Sequence, residues 1–255
     1  MPGVIYYKPG SIFSSMVRMV VAEKGIKDIE YKEVDLDNLG NLAPDYIKIN
    51  PKGQVPAYVS NGQTISESLD ISMYLESHYP SPSLLPGETS ARSRVTEDLA
   101  ALHDISYFSI TFGVTSAVQA EQVRAQKEAL LKRYRGEVER QMELHPELHE
   151  QYAIRIKTFD EKAKPILDPV AGQENWAKLR TLLDTFEERL SHGQFLSQEN
   201  DFSLLDGHAT PVLARLVKLG HEKEIQSRPR LWAYWSRIKD RDSFRKVFDR
   251  PVSNW

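Results

Sequence analysis

Cysteine is absent from all 255 positions. That removes disulfides, thiolate metal sites, a cysteine nucleophile and enzyme-thiol redox chemistry together, and leaves the redox state of the compartment unmarked. No run approaches 18 apolar residues, so nothing reads as a membrane span. The opening Met1–Tyr7 lacks both a basic stretch and a long apolar core, and so is no secretory signal. Basic charge is not in excess: 33 Lys and Arg stand against 36 Asp and Glu, a net charge of −3. No electrostatic footprint for nucleic acid or an anionic membrane follows from that balance. The seven histidines show no metal-ligand spacing; His145 and His149 lie four apart, but Pro146 falls between them and marks a helix end. The default is a soluble intracellular protein.

Forty per cent apolar content supplies a real core. Val4–Tyr7 reads as a strand, stopped by Pro9-Gly10. From Ser11 the pattern turns helical, with Val17, Val20 and Val21 on one stripe, until Gly25. Ile29–Val34 alternates as a second strand, and a short helix follows at Asp45–Ile49. Val55–Val59 and Thr64-Ile65 flank Asn61-Gly62, a tight-turn signal, and make a hairpin. Ser68–His78 is helical. Pro80, Pro82 and Pro86 punctuate Tyr79–Gly87 as a linker. Beyond it only helices are expected, over Ser90–Gly113, Ala117–Met142, Glu147–Leu167, Asn175–Ser191, Leu204–Leu219 and Leu231–Arg241. The fold class is α/β plus all-α, with domains at 1–80 and 91–255 joined by 81–90.

Four short segments could do chemistry. In Tyr7-Lys8-Pro9-Gly10-Ser11-Ile12-Phe13-Ser14, a hydroxyl at a helix N-terminus sits where backbone N–H groups favour negative charge, and it can donate to a thiolate or oxyanion; the structural alternative is a plain helix cap. In Asn50-Pro51-Lys52-Gly53-Gln54-Val55-Pro56, a cis Val55-Pro56 bond would let Val55 present its backbone polar groups to an extended ligand, although spacing alone favours trans. Glu67 could neutralise a ligand amine, and Ser68 could cap the next helix and bind a carboxylate; an ordinary cap with a solvated acid is the alternative. Ser203-Leu204-Leu205-Asp206 is a capping-box variant with a structural role, and loss of Asp206 should cost about 1 kcal/mol or more. Tyr107, Phe108 and Phe112, at their spacing, suit a core as well as a pocket, and Trp176, Trp232, Trp235 and Trp255 read as packing residues.

Taken together and in this order, Tyr7-x-x-x-Ser11 before Val17-Arg18, Asn50-Pro51-x-Gly53-Gln54-Val55-Pro56, Glu67-Ser68, the Ser203–Asp206 box and the ending from Arg228 to Phe244 resemble the cytosolic glutathione transferases. The resemblance spans essentially the whole chain. It implies a thioredoxin-like domain, a linker and a helical domain, and it shifts the turn, Pro56 and Glu67-Ser68 toward ligand binding. Gln119–Asn175, with Pro146-Glu147-Leu148, is similar to the branch of tetrachlorohydroquinone dehalogenases, bacterial etherases and ganglioside-induced differentiation-associated proteins. Phe13 stands where the dehalogenases need a cysteine, so their mixed-disulfide chemistry is unavailable to this chain.

The resemblance implies glutathione as co-substrate and a hydrophobic electrophile as acceptor, in a detoxifying homodimer without nucleic acid, membrane or metal partners. Ser11 leads as the hydroxyl that activates the thiol, six residues before Val17; Ser14 matches an etherase-like serine, and Tyr7 the phenol of tyrosine-type classes. Val55 would pair with the cysteinyl backbone beside Gln54 and Pro56, while Glu67 and Ser68 hold the γ-glutamyl end. Asn41 falls at the position that contacts the glycyl end, where His or Gln is usual. Tyr107, Thr111 and Phe112 would meet the acceptor. The resemblance leaves open conjugation, aryl-ether cleavage or isomerisation, and, as a second reading, a glutathione-dependent binding or regulatory protein with little turnover.

Overall fold

The computed structural model describes residues 3–198 and 201–248. The chain runs β1 (Gly3–Tyr7), α1 (Ile12–Glu23), β2 (Ile29–Glu33), α2 (Pro44–Ile49), β3 (Ala57–Ser60), β4 (Gln63–Ser66), α3 (Ser68–His78), α4 (Thr89–His103), α5 (Tyr107–Phe112), α6 (Ala117–Leu144), α7 (His149–Ala163), α8 (Pro169–Arg189), α9 (Leu204–Lys218), α10 (Lys223–Gln226), α11 (Pro229–Ile238) and α12 (Asp242–Phe248). Three single turns of 3-10 helix stand at Gly40–Leu42, Pro146–Leu148 and Lys164–Ile166. The described residues form two compact units: the first from residues 3–33, 55–104, 179–198 and 201–248, the second from Val34–Gln54 and Ile105–Lys178.

The first unit is built on a four-stranded sheet in the order β2-β1-β3-β4. β1 pairs parallel to β2, with Ile5 opposite Tyr31, and antiparallel to β3, which pairs antiparallel to β4. The hairpin turn holds Asn61 and Gly62 both at positive φ, 50° and 76°, the conformation that lets two residues reverse the strands with the right twist. α1 packs against α3, α9 and α12. It buries Met16, Val17, Met19, Val20 and Val21, the stripe expected from its period. The proline-rich segment is pinned. Buried Lys24 at the end of α1 pairs with Glu76 of α3 at 2.6 Å and donates to the carbonyl of Pro82 at 2.7 Å, while Glu76 also accepts from the backbone of Leu84. Leu204 N–H donates to the Leu84 carbonyl at 2.7 Å.

The capping box forms at the start of α9 and extends further than a cap. Asp206, fully buried, accepts from the backbone of Ser203 at 2.8 Å, from its hydroxyl, from the backbone of Leu196 at 3.0 Å and from the Tyr234 hydroxyl at 2.8 Å. Burial pushes the Asp206 carboxyl up and these donors pull it down, burial being the larger effect.

In the second unit α7 packs against α6 and α2, over a core of Leu42, Ile47, Val138, Leu148 and Tyr152. The Tyr152 hydroxyl donates to the Leu42 carbonyl at 2.8 Å. The single helix expected over Ser90–Gly113 is two helices. α4 ends at His103, and Ser106 caps α5 by accepting from Ser109 N–H at 3.2 Å. α8 begins earlier than expected, at Pro169, where Asp168 accepts from the backbone of Val170 at 2.9 Å; an acidic cap followed by proline is a start signal the periodicity concealed. α10 and α12 are short and were not anticipated. Trp176 and Trp235 are buried as packing residues; Trp255 lies outside the described residues.

Candidate functional site

Because β1 and β4 each run antiparallel to β3, they point the same way. The helices that follow them, α1 and α3, therefore start from the same end of the sheet. This juxtaposes two helix N-termini, each a set of unpaired N–H groups that favours negative charge.

At the first, Ser11 is the N-cap of α1, and its hydroxyl oxygen accepts from Ser14 N–H at 3.2 Å. Cap and hydrogen-bond donor are not exclusive, since a hydroxyl accepting one bond keeps its proton to donate. Ser11 is half-buried, whereas Ser14 is 0% exposed and its oxygen accepts from Lys8 N–H at 3.3 Å. Tyr7 faces elsewhere: the Arg18 guanidinium lies over its ring at 5.1 Å and Tyr31 meets it edge-on at 5.6 Å. Its side chain helps line a cavity of about 300 Å³ with Arg18, Lys27, Tyr31 and Lys246, to which neither Ser11 nor Ser14 contributes.

At the second, the N-cap of α3 is Glu67 and not Ser68, and no side chain caps the helix. Glu67 stands at φ 80°, ψ 124°, a strained conformation for a residue with a Cβ and one that clusters at ligand sites. Ser68 is buried, its hydroxyl 3.7 Å from the Met16 sulfur. The Val55–Pro56 bond is cis, where spacing alone favours trans.

In the second unit Asn41 is committed to the protein: its amide donates to the Gly53 carbonyl and to the Tyr134 hydroxyl, both at 2.9 Å. The Gln54 carbonyl accepts from Tyr46 at 2.5 Å and from Asn50 at 2.8 Å, so this loop is held from both sides. Local sequence gave no sign of Arg155 of α7. It is 8% exposed, donates to Tyr134 at 2.6 Å and to the Lys52 carbonyl at 2.9 Å, and lies 5.1 Å over the Tyr134 ring. These partners are neutral, and among the described residues no carboxylate forms a salt bridge with it. A buried guanidinium without a counter-ion is costly and suits an incoming carboxylate. Tyr107 is buried and burial raises its phenol well above its ordinary value. Phe112 is exposed and packs edge-to-face with Phe108 at 5.0 Å. Thr111 is half-buried between them in sequence.

Also without a local signal is a hydrogen-bonded pair of histidines in the first unit, His208 buried and His103 half-buried. His103, at the end of α4, places Nε2 2.9 Å from Nδ1 of His208 in α9, and His208 places Nε2 2.9 Å from the Ser72 hydroxyl of α3. The His103 ring stacks on Phe13, at 6.5 Å between centroids.

The family model of the glutathione S-transferase N-terminal domain matches residues 5–83, and that of the C-terminal domain matches residues 169–235. The chain belongs to the glutathione transferase superfamily. It is 28% identical to the Arabidopsis thaliana glutathione S-transferase TCHQD over 98% of this chain and 91% of the relative. It is 26% identical to the tetrachloro-p-hydroquinone reductive dehalogenase of Sphingobium chlorophenolicum over 100% of this chain and 98% of that protein. Its structure resembles the β-etherase LigF of Sphingobium sp. strain SYK-6, with a TM-score of 0.71, 21% identity and coverage of 98% and 99% of the two chains. The matched segments contain both helix starts, Ser11 and Glu67-Ser68, and the Asp206 box.

Proposed function

We propose that this protein is a glutathione transferase that lowers the pKa of the glutathione thiol and directs the thiolate at a hydrophobic electrophile, by conjugation or aryl-ether cleavage. The observation that carries the reading is the pair of helix starts at one end of the sheet: a hydroxyl cap at α1, and at α3 an N-terminus without a side-chain cap behind a strained Glu67. Glu67 balances the ligand's α-amino group, the N–H groups opening α3 take its γ-glutamyl carboxylate, Val55 beside Pro56 and Gln54 pairs with the cysteinyl backbone, and Ser11 donates to the sulfur. A free thiol with a pKa near 8.5 is mostly protonated at pH 7; each unit by which the site lowers it represents about 1.4 kcal/mol. Half-buried Ser11 is the better donor, because Ser14 is enclosed and Tyr7 is engaged with Arg18 and Tyr31. Arg155, with Asn41 shaping the Gly53 loop, suits the glycyl carboxylate. Tyr107, Thr111 and Phe112 belong to the acceptor side, and the functional division falls at residues 81–90. The protein is a cytoplasmic homodimer on this reading, which sedimentation checks.

Glutathione should raise the melting temperature in proportion to its occupancy, by RT ln(1 + [L]/Kd), and Glu67→Ala should remove most of that rise. An undiminished rise in Glu67→Ala would overturn the placement of the γ-glutamyl end. Absence of turnover across a panel of aryl halides and β-aryl ethers would overturn the enzymatic reading.

A further inference from the structure

In the first unit α1 packs against α9, and another cavity, of about 150 Å³, lies between them. Ile12 and Ser15 line it from α1, and Pro211, Ala214, Arg215 and Lys218 from α9. The α9 positions follow the i, i+3, i+4, i+7 spacing of one helix face. Ser11, Ser14, Glu67 and Ser68 do not line it, so the cavity is separate from the two helix starts.

Its walls suit an anion. Ser15 is 1% exposed, and its hydroxyl has no hydrogen-bond partner. A helical serine can satisfy its hydroxyl at the carbonyl four residues back. Here the Ser11 carbonyl accepts from Ser15 N–H at 2.9 Å, and the hydroxyl makes no such bond. An enclosed, unpaired hydroxyl costs stability that an alanine would avoid, so its place on a cavity wall marks it for a partner from outside the chain. Arg215 and Lys218 put two cations on the opposite wall, and among the described residues no carboxylate lines the cavity. The Arg215 guanidinium donates to the Gly10 carbonyl, which occupies one of its five N–H donors. Burial lowers the Arg215 pKa, and burial together with the Arg215 charge brings Lys218 down to about 8. Both cations are thus less favourable here than in water, and a bound anion offsets both penalties.

The volume and the donor set select among anions. About 150 Å³ is too small for a ligand the size of glutathione, since drug-sized pockets begin near roughly 300 Å³. A phosphate group brings about −1.5 to −2 charges at pH 7 and three acceptor oxygens, which match two cations and a hydroxyl donor. A carboxylate brings a single charge on two oxygens and leaves one of the three groups unused.

We propose that the cavity between α1 and α9 is a phosphate site, in which the Ser15 hydroxyl, the Arg215 guanidinium and the Lys218 ammonium bind the oxygens of inorganic phosphate or of a small phosphomonoester. The site goes beyond the glutathione reading and shares none of the residues assigned to it.

The test is calorimetric titration of inorganic phosphate into wild type, Ser15→Ala and Lys218→Gln at pH 7 and fixed ionic strength, with urea unfolding of the phosphate-free proteins alongside. Wild type should bind phosphate at a single site. Both variants should bind it about tenfold more weakly or worse, the loss expected for a hydrogen bond to a charged group. Without phosphate, Ser15→Ala should be at least as stable as wild type, because it removes an unpaired hydroxyl; a structural role for that hydroxyl predicts the opposite. Glycerol 3-phosphate as a second titrant tells the two sources apart: binding as tight as that of phosphate supports a monoester site, and binding of phosphate alone supports a site for the free ion. Absence of wild-type binding, undiminished binding in either variant, a loss of stability in phosphate-free Ser15→Ala, or acetate bound as tightly as phosphate would each overturn the proposal and leave the glutathione reading standing.

Discussion

Replacing Asp206 with alanine tests how far the start of α9 depends on one buried carboxylate. If the residue were only a cap, the loss would be about 1 kcal/mol. The structure gives it a larger task, since it accepts from Leu196 N–H, Ser203 N–H and the Tyr234 hydroxyl with no solvent to replace it. Truncation leaves these three buried donors unsatisfied, at about 1–3 kcal/mol each, and the Ser203 hydroxyl, its fourth donor, free to turn elsewhere. Partial relaxation brings the expected loss to roughly 3–6 kcal/mol, a large share of the 5–15 kcal/mol typical of a folded protein. At about 2–4 °C per kcal/mol for a chain of this size, the melting temperature should fall by roughly 10–20 °C. Urea unfolding followed by tryptophan fluorescence measures it, with Tyr234→Phe as a graded control that removes one donor together with its acceptor need and costs about 1 kcal/mol. An Asp206→Ala midpoint corresponding to a loss near 1 kcal/mol would refute the network argument and return the residue to a simple cap.

Ser11→Ala should raise the apparent pKa of bound glutathione and depress kcat/KM at neutral pH while leaving glutathione affinity within a few-fold, the deficit shrinking at high pH; a profile that moves in Ser14→Ala or Tyr7→Phe but not in Ser11→Ala reverses the ranking. Arg155→Gln should weaken glutathione binding by roughly tenfold, about 1.4 kcal/mol as expected for a charge-assisted bond, yet leave the glycyl ethyl ester unaffected; wild-type protein that binds acid and ester equally well would rule the anchor out. His208 and His103 both have depressed pKa values, burial being the main cause. The unfolded chain therefore takes up protons near pH 6.5 that the folded one resists. Their contribution to stability is present above that pH and lost as pH falls, at up to about 1.4 kcal/mol per pH unit for each histidine. His208→Gln should flatten the decline between pH 7 and 5 in urea midpoints, and parallel slopes for the two proteins would contradict the assignment.

What the sequence discloses about this chain is what is encoded locally. The strand-turn-helix at Tyr7–Phe13, the Asn61-Gly62 hairpin and the Ser203–Asp206 box each declare themselves within a few residues, because turn and cap chemistry is a property of neighbours. The break after His103 was hidden because Leu99, Leu102 and Ile105 continue an apolar period straight through it; Asp104 and the cap at Ser106 were the available signals. Arg155 reads in sequence as one more charge on a polar helix, and only the ring of Tyr134 and the Lys52 carbonyl make it a buried cation. His103 and His208 stand 105 positions apart, and no local pattern can anticipate a hydrogen bond of that span. The helix starts were legible as caps; that the sheet brings two of them to one end depends on strand direction, which pairing alone decides.

Gly53 has a history that its own loop does not explain. Its φ of +57° already favours glycine, but asparagine tolerates that region too. A β-carbon there would also lie 2.6 Å from Cδ of Arg155, a second and independent prohibition. The two positions are therefore coupled in space, so that what stands at one limits what the other can hold. Shortening residue 155 first would leave an asparagine at 53 only the Asn41 carbonyl oxygen, 3.2 Å away, to ease aside, whereas changing 53 first would have to displace the guanidinium from its ring and its carbonyl. The order in which such changes are tolerated is thus set, and an asparagine at 53 beside an arginine at 155 is the pairing this architecture should not contain.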